Sequence, residues 1–364
     1  MFRIKHDELK GVIKHYSNKK KTLIILGRTG IGKSEKCLEM SKERAKDLNK
    51  TFIKWNEASL EAKRGIVKEP DKYYVYVDIR LTQIDSTDLK GIPDLKGEAV
   101  EWLPNLWVIA LSKCEGTLLL DEINLCPPSI QAVVYQIILD REVGEISLNK
   151  KVLIIGCGNV AEDKAGVYEL AKPIMDRGGM YELQTPDRDT MFNYAVANDW
   201  DSRVSMFIYK NPPKIFVDDE TSDTIVTPRS HNIVSDLIKG ITDLDQINLF
   251  SGGIYGEGIA MEFTAFIKLM DKIPSPDAIL NGKAKIPQEI DLKYACVSAI
   301  VEYYRQMESK RKENLIKVIK LKGKIDAEFY ILMLRLVKSI DGEVMKQIVQ
   351  TEHFDKVVEY SKYF

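Results

Sequence analysis

Three short stretches of the chain hold residues whose types and spacing suit phosphate chemistry. Gly27-Arg28-Thr29-Gly30-Ile31-Gly32-Lys33-Ser34 has P-loop spacing. Its glycines let successive backbone N–H groups point into one nest around phosphate oxygens, with the positive end of a following helix behind them. In such a loop the Lys33 ammonium reaches the β- and γ-phosphates of a nucleotide and the Ser34 hydroxyl ligates Mg2+. Leu118-Leu119-Leu120-Asp121-Glu122 is an apolar run ending in two acids. Alone it is a weak signal, because strand ends often carry solvated carboxylates. Beside the glycine loop it is a strong one: Asp121 can hold hydrated Mg2+ from the far side of the nucleotide, and Glu122 can polarise an attacking water. Asn159, after Gly156-Cys157-Gly158, adds an amide that can bond the γ-phosphate or orient that water. The shared chemistry is transfer of a phosphoryl group to water, which needs positioning and charge neutralisation from several directions.

These residues require a scaffold that brings separate loops together, and the hydrophobic pattern predicts one. The apolar run at 22–26 suits a central parallel strand covered on both faces, and the glycine loop and helix-forming residues to about 48 follow it directly. Further strands are expected at 52–55, 73–79, 117–120, 152–155 and 181–183, with helices at 6–17 and 106–113. Pro127 and Pro128 open another helix, in which Ile130, Val133, Val134, Ile137 and Ile138 recur at helical spacing. A hairpin is expected at 142–147, a Pro- and Gly-punctuated loop with short structure of its own at 86–104, and a turn at Gly156-Cys157-Gly158. Strands alternating with helices indicate an α/β class with a parallel sheet, and with the glycine loop at 27–34 the expected fold is a P-loop NTPase sheet with helices on both faces. Past 185 the period is almost entirely helical, at 227–239, 259–270, 291–307, 326–340 and 342–360, so a boundary is expected near 185. The cluster Ser251-Gly252-Gly253 with Gly256 and Gly258 has no Lys-Ser/Thr after it and reads as a flexible helix entry, not a second phosphate loop.

A chain of 364 residues allows two or three domains with full apolar cores. With 53 Lys+Arg against 54 Asp+Glu there is no wholesale basic surface, so any nucleic-acid contact must use a local patch such as 19–21 or 310–324. Five cysteines, odd in number and never in a CxxC pair, argue against a disulfide framework or a zinc knuckle. His6, His15, His231 and His353 are scattered and read as packed or solvated. The amino terminus is charged from its third residue and no apolar run nears the ~18 residues of a membrane span, so the expected location is the cytoplasm, with no membrane contact.

Taken in order, these segments resemble an AAA+ ATPase, and the resemblance narrows to the MoxR-like group over about residues 20–305. Besides the loop at 27–34 it is carried by Asp78-Ile79-Arg80-Leu81-Thr82-Gln83-Ile84-Asp85 and its continuation to Pro93. Leu120-Asp121-Glu122-Ile123-Asn124, Pro127-Pro128-Ser129-Ile130-Gln131-Ala132, Gly158-Asn159 and Thr227-Pro228-Arg229-Ser230 complete it. The resemblance implies a nucleotide domain at 1–185, an all-helical lid at 186–305 and a helical C-terminal extension at 306–364, with ATP and Mg2+ as cofactors. It implies Asn159 as sensor 1 and Arg229 as sensor 2. Arg177 takes the position of an arginine finger completing a neighbour's site, although the usual Asn-Arg-Phe reads Asp176-Arg177-Gly178 here, which keeps Arg188 and Arg141 as reserves. A homo-oligomer, a hexameric ring in the family, would remodel or mature a protein partner, often beside a von Willebrand factor A domain protein. Residues 84–110 and 142–147 fall where the family carries insertions toward the pore or partners, so Trp102, Leu103, Leu106 and Trp107 are either a partner patch or core. The segment 52–72 exceeds the family pattern. The rival class is a nucleic-acid motor or restriction-type NTPase, supported by the two basic runs and opposed by the balanced charge and the lack of a recognised DNA-binding motif.

Overall fold

The computed structural model describes residues 1–94, 101–160, 170, 176, 178–218, 224–307, 309 and 311–341. The chain divides after Thr185 into two compact units.

In the first unit the strands are β1 (Phe2–Ile4), β2 (Thr22–Gly27), β3 (Thr51–Lys54), β4 (Tyr73–Arg80), β5 (Ile92–Asp94), β6 (Glu101–Leu103), β7 (Glu115–Asp121), β8 (Glu142–Val143), β9 (Ile146–Ser147), β10 (Leu153–Gly158) and β11 (Gly178–Leu183). The helices are α1 (His6–Lys19), α2 (Lys33–Asp47), α3 (Leu60–Lys68), α4 (Ser86–Lys90), α5 (Leu106–Lys113) and α6 (Pro128–Asp140). Among the described residues seven strands form one sheet in the order β1-β11-β2-β10-β7-β4-β3, every pair parallel. Every residue of β2 and of β10 is buried, as the unbroken apolar runs require of strands covered on both faces. On one face Val75, Val77, Leu118, Leu120 and Ile154 meet Val108 and Leu111 of α5 and Val134 and Ile137 of α6 in a single apolar cluster. On the other, the Ser41 hydroxyl of α2 donates to Thr117 Oγ1 at 2.9 Å, and Tyr74 Oη lies 2.8 Å from that same oxygen.

Two expectations fail here for physical reasons. Gly156 and Gly158 lie inside β10 instead of forming a turn: a Cβ on Gly156 would sit 2.9 Å from Ile123 Cδ1, and one on Gly158 only 2.5 Å from Asn124 Oδ1. These glycines serve close approach rather than bending. Strand β1 was not foreseen, because its three residues Phe-Arg-Ile carry no strand pattern; its pairing with β11, Ile4 opposite Leu183, makes it a strand. The loop expected at 86–104 contains α4 and the β5–β6 ladder, and the hairpin at 142–147 forms about Gly144, whose φ is +60°. Within the segment 52–72, β3 adds a parallel edge strand beside β4, and α3 packs on α5, burying Ile66 in the same apolar cluster.

Among the described residues the second unit is helical apart from a two-residue ladder between Val217–Asp218 and Ile225–Val226 and an isolated bridge between Lys322 and Ile325. One apolar cluster runs from Met191 to Val337, taking in Phe207, Phe263, Val301, Leu315 and Met333. Helices Ser202–Lys210 and Leu244–Tyr255 were not read from the sequence. Gly252 and Gly253 belong to the interior of the latter helix, not to a helix entry, and the break falls at Gly256, with φ +76°. The basic stretch near 310–324 forms helix Arg311–Ile319, which buries Leu315, Val318 and Ile319. The helix expected at 342–360 lies outside the described residues.

His231 is fully buried between Tyr255, whose hydroxyl is 2.8 Å from Nδ1, and the Lys214 carbonyl, 2.9 Å from Nε2. A carbonyl only accepts, so Nε2 carries the proton and Nδ1 accepts from the tyrosine. Burial holds the imidazole pKa down at about 4, against an ordinary value of 6.5. The unfolded chain therefore binds a proton that the fold refuses as pH falls from 6.5 to about 4, and stability declines across that window. At about 1.4 kcal/mol per pH unit the loss approaches ~3 kcal/mol at the acid end. Urea titrations of His231→Gln at several pH values are expected to show a flatter dependence of unfolding free energy across this window; an unchanged slope would assign the acid sensitivity to other groups.

All five cysteines are free and buried, among them Cys37 on α2 and Cys157 on β10.

Candidate functional site

Because the strands are parallel, their carboxyl ends and the loops that leave them share one edge of the sheet, where β2 gives the glycine loop, β7 gives Asp121-Glu122, β10 gives Asn159 and β4 gives Leu81–Gln83. Gly30 and Gly32 have φ of +73° and +92°, the left-handed region that only glycine enters without strain, and α2 starts directly after them at Lys33. A Cβ on Gly27 would stand 2.8 Å from Leu183 O and 2.9 Å from Ile31 Cδ1, so the strand can run under its own loop only as glycine.

The sequence-predicted residues converge. Lys33 is buried to 8% exposure, and its Nζ donates to the carbonyls of Gly27 at 2.7 Å and Arg28 at 2.8 Å and to Asn159 Oδ1 at 3.2 Å. Ser34 Oγ donates to Asp121 Oδ2 at 2.7 Å. The other Asp121 oxygen accepts from the Glu122 backbone N–H at 3.0 Å. Glu122 itself has φ +60°, a left-handed conformation for a residue with a Cβ, which is the kind of local strain that concentrates at functional sites.

Three supporting residues carried no role in the sequence reading. The Thr82 hydroxyl, just past β4, donates to Glu122 Oε2 and holds that carboxylate. Asn124, 3% exposed, clamps Asn159 by its backbone: Nδ2 donates to Asn159 O at 2.7 Å and Oδ1 accepts from Asn159 N at 2.9 Å. Asn56 does the same for Asp78, donating to its carbonyl at 2.8 Å and accepting from its N–H at 3.1 Å, which gives the additional segment at 52–72 a part in shaping this edge. Burial first, then the Asp121 carboxylate, push the Asp78 carboxyl up from its ordinary value. Each clamp joins residues far apart in sequence, so no local pattern announces it; the available hint was an asparagine within a few residues of a strand end, Asn56 after β3 and Asn124 after β7.

Asn124→Ala would leave the half-buried N–H and carbonyl of Asn159 without these partners, at about 2 kcal/mol, and is expected to lower the melting temperature by about 4–8 °C. Asn124→Asp keeps the acceptor but faces a carbonyl with a second oxygen, so it should do no better. Thermal melts check both, and wild-type stability in either variant would rule out the clamp.

Arg177 lies outside the described residues. Arg229 belongs to the second unit, exposed in the first turn of helix Pro228–Ile238, which Thr227 caps. The two reserve arginines are used by the fold: Arg141 is half-buried and donates to the carbonyls of Val152 and Asn149, and the Arg188 guanidinium lies 4.4 Å from the Tyr209 ring centroid. Trp107 is core at 9% exposure, whereas Trp102 at 39% and Leu103 at 57% are exposed on β6.

A parallel sheet with helices on both faces, a phosphate-type loop between a central strand and α2, and a helical C-terminal part define the P-loop NTPase fold. No family model matches the chain, and no curated protein matches it in sequence. Among solved structures it is similar to NtrX from Brucella abortus in complex with ATP, at 12% identity and a TM-score of 0.34 over 98% of this chain and 67% of that one. It is also similar to a RuvB variant from Thermotoga maritima, at 11% identity and a TM-score of 0.38 over 76% of this chain and 80% of that one. Likenesses at this level carry no weight beside the sheet and the loop.

Proposed function

We propose that the chain is an AAA+ ATPase of the MoxR-like kind, hydrolysing ATP between subunits of a ring, a hexamer in that family, to remodel or mature a protein partner. The carrying observation is the convergence at the mouth of the glycine loop of two hydrogen-bonded pairs, Lys33 with Asn159 and Ser34 with Asp121. The donor set fits Mg2+: a hydroxyl and a carboxylate side by side are hard oxygen ligands, and Ser34 and Asp121 would hold the ion and its waters. Bound there, Mg2+ supplies charge neutralisation on the phosphates.

The chain's own residues do the rest. Lys33 exchanges the carbonyls of Gly27 and Arg28 for phosphate oxygens, and the loop amides complete the nest. Glu122, released from Thr82, accepts the proton of the water that attacks the γ-phosphorus, while the bond to the β–γ bridging oxygen breaks. Asn159, held by Asn124, directs its side-chain amide at the γ-phosphate. Arg229 would sense that phosphate and Arg177 would complete the neighbour's site. A von Willebrand factor A domain protein is the partner class that the family resemblance suggests.

The test is ATP turnover by the full chain with Mg2+ across a range of protein concentrations, with sedimentation in the presence and absence of ATP. Specific activity that rises with concentration alongside ring-sized particles is expected. Turnover by a monomer, independent of concentration, would overturn the interface site. Stimulation by DNA that falls steeply with salt would favour a nucleic-acid motor instead.

A further inference from the structure

The first residues of the chain reach the glycine loop. In the sheet, Ile4 of β1 stands opposite Leu183 of β11, and Leu183 stands opposite Gly27 of β2, so three strands end in one row. The row is closed by Gln184 N donating to Ile4 O at 3.0 Å. Two residues past Ile4, at the start of α1, the His6 ring lies against the loop with Nε2 2.8 Å from the backbone carbonyl of Ile31. A carbonyl can only accept, so Nε2 is the donor in either the neutral or the charged ring.

This contact bears on the direction of one loop peptide. The peptide joining Ile31 and Gly32 is trans, as are all peptide bonds among the described residues, and a planar trans peptide points its C=O and N–H in opposite directions. Fixing the Ile31 carbonyl on His6 therefore fixes the direction of the Gly32 N–H. That peptide is flanked by Gly32, whose φ of +92° lies in the region glycine enters without strain, so no Cβ on that side restricts its direction. The Ile31 side chain, 2% exposed, holds one end of the same unit.

We propose that His6 is a positioning residue for phosphate binding: its Nε2–H orients the Ile31–Gly32 peptide so that the Gly32 amide faces the phosphates of the nucleotide. The inference rests on the nucleotide-binding reading of the loop. With wild-type chain and MgADP as the probe, calorimetry should give about tenfold weaker binding for His6→Ala and for His6→Phe, which keeps a ring but has no N–H. His6→Gln, whose amide N–H can reach the same carbonyl, should stay within about twofold of wild type. Melting temperatures of the ligand-free proteins should agree, and in turnover assays KM should rise with kcat held. Binding by the Phe variant as tight as wild type, or equal weakening by Gln and Phe, would overturn the proposal even if the Ala variant does not fold. Lys33→Ala separates the two levels. If it still binds MgADP, the loop reading fails and the role of His6 fails with it. If it does not bind while His6→Phe binds normally, only the role of His6 fails.

Discussion

Lys33→Ala is expected to abolish measurable nucleotide binding, weakening affinity on the order of 100-fold or more. Its ammonium is a buried point charge within reach of loop carbonyls, in surroundings where a charge-assisted bond to phosphate is far stronger than at a free surface. Wild-type chain in ATP at about 100 times its dissociation constant should gain about 2.7 kcal/mol of stability, a melting shift of several degrees, and the variant none. Lys33→Arg should not rescue it, because a planar fork cannot occupy a site that fits one nitrogen against two carbonyls. A Lys33→Ala protein that still shifts with ATP would sink the assignment of the loop.

Glu122→Gln should separate binding from chemistry. The substitution keeps the length of the side chain, its reach to Thr82 and the left-handed backbone, but removes the group that takes the proton from water. Turnover is expected to fall by about 10²–10⁴, the range typical of a general base, with ATP affinity unchanged. Single-turnover hydrolysis measures the chemical step directly, and a variant that hydrolyses at the normal rate would remove Glu122 from its role. The same variant should hold ATP-stabilised particles together for longer in sedimentation, since the bound triphosphate persists.

What the sequence made legible was what is local. The glycine loop, Lys33, Ser34 and Asp121-Glu122 sit within short windows whose strand-loop-helix context follows from apolar runs, and the structure places Ser34 and Asp121 in one hydrogen bond beside Lys33. Residues defined by distant partners were not legible. Thr82 matters because Glu122 lies 40 positions away in sequence, and Asn124 because Asn159 lies 35 positions away. Strand β1 has no strand pattern of its own and exists through β11. Gly156 and Gly158 misled for a related reason: glycine is needed both where a chain bends and where a neighbour comes close, and the neighbours here are Ile123 and Asn124, more than 30 positions upstream. In the second unit, Gly252 and Gly253 hid a helix whose stability comes from burying Ile247, Ser251 and Tyr255.

The burial of every thiol makes the chain, while folded, nearly silent to sulfhydryl reagents. Burial raises the thiols of Cys114 and Cys126 to about 11 and that of Cys296 to about 12, so the reactive thiolate is scarce even where a reagent gains entry. A single cysteine introduced on an exposed surface could then carry a fluorophore without removing any native residue. The five native positions, in turn, become reporters of opening: the rate at which Cys37 or Cys157 is modified, with and without added nucleotide, times how often the sheet and α2 part behind the glycine loop.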